Sequence, residues 1–167
     1  MAIPTQNEKV MEHGAFIVSK TDLKGRITYG NKTFIAMSGY SEEELLGAPH
    51  NILRHPDMPR CVFKLLWDRI QNGEEIFAFV KNLCKDGSFY WVFTNVTASY
   101  DEQGNIIGYY SVRRRPRREA VDTIAPIYAK LLDIERSSGM DGSLQFLINF
   151  LEEKGVGYDE LIVSLQQ

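Results

Sequence analysis

The chain has 167 residues, 44% apolar and 25% charged, with a formal net charge of −3. This is the composition of a soluble globular protein with room for one good core and a small appendage. Two cysteines, Cys61 and Cys84, exclude a disulfide framework. No stretch approaches the roughly 18 apolar residues of a membrane span, and the start "MAIPTQNEKV" lacks a leader pattern. The expected compartment is therefore the cytoplasm, with no direct membrane insertion.

Charge is unevenly distributed. Residues 1–118 carry 16 basic and 13 acidic side chains, whereas residues 119–167 carry 3 and 9. The change follows "RRRPRR" at 113–118 and marks a module boundary there. That basic run has no interleaved aromatics and no helix-turn-helix context. It reads as a solvated strand end and linker, so nucleic acid is not an expected partner.

In chain order, "GAFIVSKTDLKGRITYGN" predicts two short strands joined at Asp22 and Gly25. Asn31 is placed to cap a helix over "KTFIAMS" that Gly39 ends. Ser41 with Glu44 forms a capping box, which Tyr40 and Leu45 would complete as a staple. After a polar interruption, "CVFKLLWDRIQ" predicts an amphipathic helix with Val62, Leu65 and Leu66 in one stripe. The segment 75–114 then predicts three antiparallel strands turning at "KDG" and "DEQG". The expected fold class is α+β: a five-stranded antiparallel sheet with short helices on one face, plus C-terminal helices. Among those helices, Pro126 predicts a kink or restart, and Asp141 or Ser143 a new cap.

The polar interruption "NILRHPDMPR", residues 51–60, holds the densest chemistry. Helix-start rules account for Pro59 and partly for Asp57. They leave Arg54 and His55 over. Histidines 13, 50 and 55 show no zinc-ligand spacing, and nucleotide-loop and nucleophile-elbow patterns are absent. Nothing points to a turnover enzyme. A ligand cup remains: Trp67 and Trp91 are placed to face one another across the core, either as packing aromatics or as walls for a flat ring. Asn82 can offer a paired donor and acceptor to a planar heterocycle, or cap the "CKDG" hairpin.

Three segments carry a family resemblance: "GYSEEELLGAPHNILRHPDMP", "VKNLCKDGSFYWV" and "GYYSVRRRPR". On these the chain resembles the flavin-binding PAS domains of the bacterial aerotaxis receptor (Aer-like) family. "RHPDMP" at 54–59 is the most distinctive of its motifs. The resemblance implies a PAS sensor domain over 14–118, continuing less distinctly to about 130, and a helical C-terminal extension over 119–167. It implies FAD bound noncovalently, with Arg54, His55 and Asp57 lining or supporting the cleft. Asn82 would face the isoalloxazine edge, and Trp91 would lie close to the flavin. Trp67 joins this set as the aromatic of the long helix. Blue-light PAS photoreceptors carry "GRNCR", whose cysteine bonds to flavin. Here the matching segment is "GAPHN", with His50 at the cysteine's place and Val92 at a second flavin-facing asparagine. These departures argue against adduct-forming light sensing and fit redox sensing.

The expected function is then a redox- or oxygen-sensing signalling module related to aerotaxis, with a homodimer and a signalling protein or receptor output domain as partners. In the aerotaxis receptors it resembles, a membrane anchor and signalling domains follow; here none does, so the acidic helices replace them or the chain is a fragment. One alternative is a haem-binding PAS gas sensor using His50 or His55 as axial ligand. Another is a cofactor-free PAS module for dimerisation or protein interaction, in which Trp67 and Trp91 fill the core.

Overall fold

A computed structural model describes residues 2–167. Two strands, β1 (Phe16–Thr21) and β2 (Ile27–Gly30), lead into helices α1 (Lys32–Ser38) and α2 (Glu42–Leu45). A single 3-10 turn over His50–Leu53 precedes α3 (Arg60–Gln71). Three long strands follow: β3 (Ile76–Leu83), β4 (Phe89–Tyr100) and β5 (Ile106–Arg114). The chain ends in α4 (Arg118–Lys154) and α5 (Tyr158–Gln166). The strands form one antiparallel sheet in the order β2-β1-β5-β4-β3, so the first and last strands meet at its centre.

Local chemistry sets the short helices as expected. Asn31 Oδ1 accepts the Phe34 amide at 3.0 Å and the Val18 amide at 3.1 Å, tying α1 to β1. Gly39 ends α1 at φ 78°, in the left-handed region that glycine enters without a Cβ clash. Both bonds of the Ser41–Glu44 capping box are present at 3.1 Å.

The last helices depart from expectation. Pro126 lies inside α4 without a break in helical dihedrals; the break is at Gly139, φ 75° and ψ −178°. Proline removes one backbone hydrogen bond, but buried Ile124, Tyr128 and Leu131 flank it and hold both turns against the core. Neither Asp141 nor Ser143 restarts the helix as a cap. The Ser143 hydroxyl lies between the Glu135 carboxylate at 2.7 Å and the Met140 carbonyl at 2.9 Å, as a donor.

The α4 and α5 helices share the sheet's hydrophobic core. Leu131 and Ile162 are fully buried in the same cluster as Phe79 and Trp91. They also finish the outer edge of β3. Tyr128 Oη donates to the Phe79 carbonyl at 2.6 Å, and Asp159 accepts the Phe77 amide at 3.4 Å. The Lys81 amide reaches Met58 Sδ at 3.3 Å. An edge that would otherwise offer unpaired groups is thus covered. Among the described residues, no helix is long and apolar enough to cross a membrane.

Candidate functional site

Between the sheet and the layer formed by the 3-10 turn and α3 lies a cavity of about 340 Å³. This is within the range of small-molecule sites. Alternation along the strands sends Val80 and Asn82 of β3, Thr94 and Val96 of β4, and Tyr109, Ser111 and Arg113 of β5 to this face. Phe63, Leu66, Trp67 and Ile70 of α3 form the facing wall, with Trp67 edge-on to Tyr109 at 5.4 Å.

A buried cation sits at the polar end. Arg113 is only 3% exposed, and the described residues place no carboxylate in salt-bridge range of it. Its guanidinium donates to Ser19 Oγ, to Ser111 Oγ at 3.0 Å and to His50 Nε2 at 2.8 Å. It also lies over the Phe34 ring at 5.1 Å. One terminal nitrogen, Nη1, is buried without a partner among the described residues. Burial lowers the Arg113 pKa to about 10, still well above neutrality. His50 stacks on Phe34, and burial together with the Arg113 charge lowers its pKa to about 3. His50 is therefore neutral, and Nε2 accepts a hydrogen bond from the guanidinium. His50 also lines the cavity.

The sequence-derived residues divide between this cavity and its supports. Arg54, Trp67 and Asn82 line the cavity; His55, Asp57 and Trp91 do not. Arg54 leaves the 3-10 turn with its backbone bridged to Asn82 and its guanidinium over the Phe63 ring at 4.9 Å. Asn82 stands opposite Tyr90 in the β3–β4 register.

His55 is buried beside the Phe89 ring, and its Nδ1 accepts the Asp57 amide at 3.0 Å. Burial and the Lys81 charge lower its pKa against the pull of Asp57. Asp57 pairs with Lys81 Nζ at 2.7 Å. Burial raises the Asp57 carboxyl, but the bond and charge of Lys81 outweigh it, and the net shift is downward. These two residues lock the loop onto β3 and β4.

Trp91 points to the opposite face and stacks on Tyr128 at 6.1 Å. The two tryptophans therefore do not face one another: the sheet lies between them, and they do not fill the cavity. The haem expectation also meets an obstacle. His50 Nε2 is already engaged by Arg113 and Ser19, and His55 lies outside the cavity.

The sequence reading missed Arg113 by treating residues 113–118 as a uniformly solvated run. The signal was the alternation Tyr109, Ser111, Arg113 along one strand face. An apolar slot with an amide, hydroxyls and an unpaired buried cation suits a flat heterocycle whose polar edge carries or gains negative charge. A flavin ring fits that description. Among the described residues, no group of three or more His, Cys, Asp or Glu could hold a metal ion.

Comparison with known proteins places this geometry. The sequence pattern of the PAS fold family matches residues 5–115. The aerotaxis receptor of Escherichia coli (strain K12) is 40% identical over 134 residues, which are 80% of this chain and 26% of that protein. The nitrogen fixation regulatory protein of Klebsiella pneumoniae is 27% identical over 63% of this chain and 21% of its own length. The chain thus spans about a quarter or less of these relatives. A solved light-oxygen-voltage domain, studied with a flavin analogue, superposes with a TM-score of 0.58 at 23% identity, over 66% of this chain and 83% of its own. The chain belongs to the PAS fold family and is closely related to the PAS domain of aerotaxis receptors.

Proposed function

We propose that this protein is a cytoplasmic redox sensor that holds FAD noncovalently in the cavity above the sheet and reports its oxidation state to a signalling protein or receptor output domain, acting as a homodimer. The observation that carries the reading is the buried Arg113 guanidinium with an unpartnered nitrogen, on the same sheet face as the Asn82 amide. A buried charge without a counter-ion is costly, and a bound anionic edge removes that cost. Likeness to the aerotaxis receptor supports the same reading.

The flavin supplies the electron-accepting chemistry. Arg113 favours negative charge at the polar end of the cavity, and neutral His50 holds the guanidinium in place. Asn82 matches donor and acceptor to the ring edge, while Trp67 and Phe63 bound its plane. Arg54 favours anionic groups at the cavity mouth. His55 and Asp57 act indirectly, by fixing the loop that carries Arg54. Trp91 links the sheet to Tyr128 and so to α4. The test is the visible spectrum of the purified protein, followed by identification of any small molecule released on denaturation. A yellow protein releasing FAD is expected. A colourless protein that takes up no flavin on reconstitution, or one carrying haem, would overturn the reading.

A further inference from the structure

Asn51 and Arg54 line both the cavity and a second, more open groove of about 640 Å³ beside it. The far wall of that groove is α4, which supplies Leu132 and Arg136; Arg60 of α3 stands beside them. Two chemistries meet there. Arg54, Arg60 and Arg136 are three guanidiniums lining this one groove, and Arg54 also lines the cavity. Pro56, exposed, and Leu132, half-buried, add apolar surface against which a flat base can lie. Of the residues lining the groove, Glu135 is the one carboxylate: it accepts the Arg60 and Cys61 amides and the Ser143 hydroxyl, and its Oε1 lies 3.9 Å from Arg60 Nε, a long contact that leaves the guanidinium's terminal nitrogens free for a phosphate. Arg136 is held only by an exposed pair with Asp133 at 2.8 Å, a contact weak enough to be exchanged for a phosphate.

Resting on the flavin reading above, we propose that α4 completes the ligand site: the groove takes the adenosine diphosphate portion of a flavin dinucleotide whose ring occupies the cavity. Leu132 and Arg136 lie beyond residues 5–115, the part matched by the PAS fold, so this half of the site belongs to the extension. Two consequences follow. The protein selects a dinucleotide over a mononucleotide, and ligand binding fastens α4 to the sensor core. A helix that both touches the ligand and continues toward the C-terminus is placed to carry the bound state outward.

The test is equilibrium titration of flavin-stripped full-length protein with FAD, FMN and riboflavin, read by quenching of flavin fluorescence. FAD is expected to bind about tenfold or more tighter than FMN. Arg136→Glu, at an exposed position, is expected to weaken FAD about tenfold and FMN less than about twofold, while Arg136→Lys keeps most of the preference. Circular dichroism of the variants should match the parent. Equal affinity for FAD and FMN in the parent would overturn the proposal while leaving the flavin reading intact. So would an Arg136→Glu variant that binds FAD unchanged, or one that loses FAD and FMN alike. Failure to bind any of the three would overturn the flavin reading itself.

Discussion

The Glu135 carboxylate of α4 caps the amino terminus of α3, accepting the Cys61 amide at 3.0 Å and the neighbouring Arg60 amide at 2.9 Å. Pro59, at the local cap position, has no side-chain acceptor to offer, so the cap comes from 74 residues away. Burial raises the Glu135 carboxyl, but the two amides and the Ser143 hydroxyl more than offset this, and its pKa falls below the usual value. The helix that walls the cavity is therefore anchored by α4.

Removing that cap should be felt at both ends. Glu135→Ala is expected to cost about 1–2 kcal/mol of stability, read as a lowered urea midpoint. Glu135→Gln keeps an acceptor oxygen and should lose less. Faster flavin release from the alanine variant is expected too, because α3 carries Phe63 and Trp67. An unchanged midpoint would mean that the contact contributes nothing.

Tyr128→Phe separates edge covering from ligand binding. It deletes one hydroxyl and leaves the Phe79 carbonyl without its side-chain partner. A loss of about 1–3 kcal/mol is expected in thermal or urea unfolding, with flavin affinity unchanged. Altered affinity at constant stability would show that Tyr128 does something other than cover β3.

Arg113→Met should act in opposite directions on stability and binding. The ligand-free protein loses an uncompensated buried charge, so its melting temperature is expected to hold or rise. Flavin affinity should fall about tenfold or more, since a charge-assisted contact disappears. A variant that melts lower and binds flavin as well as the parent would show that Arg113 is purely structural.

Acid should weaken the fold through His50. Its folded pKa of about 3 lies below the ordinary histidine value of 6.5, so the unfolded chain binds the proton more readily. Its contribution is complete above pH 6.5 and is lost as pH falls toward 3. The loss is at most about 1.4 kcal/mol per pH unit. His55 is shifted in the same direction and adds to the slope. Between pH 6.5 and about 4.5 most carboxylates remain ionised, so His50→Gln should flatten the stability–pH profile there. An identical slope in that variant would rule out His50 as its source.

Local features were legible and distant ones were not. Asn31, Ser41 with Glu44, and Gly39 announce their caps because each cap is made within a few residues. Strand count and turns followed from the same short-range chemistry. Glu135 capping α3 has no such signature, because its partners lie on another helix. The break at Gly139 was overshadowed by Pro126, where packing on both sides kept the helix continuous. At the site, the distinctive "RHPDMP" motif was visible, but only Arg54 of its charged residues reaches the cavity. Trp91 falls on the far face by strand parity. Arg113 was hidden inside a basic run: it and Arg114 lie on opposite faces of β5, one covered and the other not, and the rest of the run lies beyond the strand.

The most direct test is an anaerobic reductive titration of the purified protein, followed by its visible spectrum. The expected result is a yellow protein whose broad visible flavin bands bleach on reduction and return with air, at about one flavin per chain. A protein with no visible band, even after incubation with excess FAD, would contradict the account at its centre.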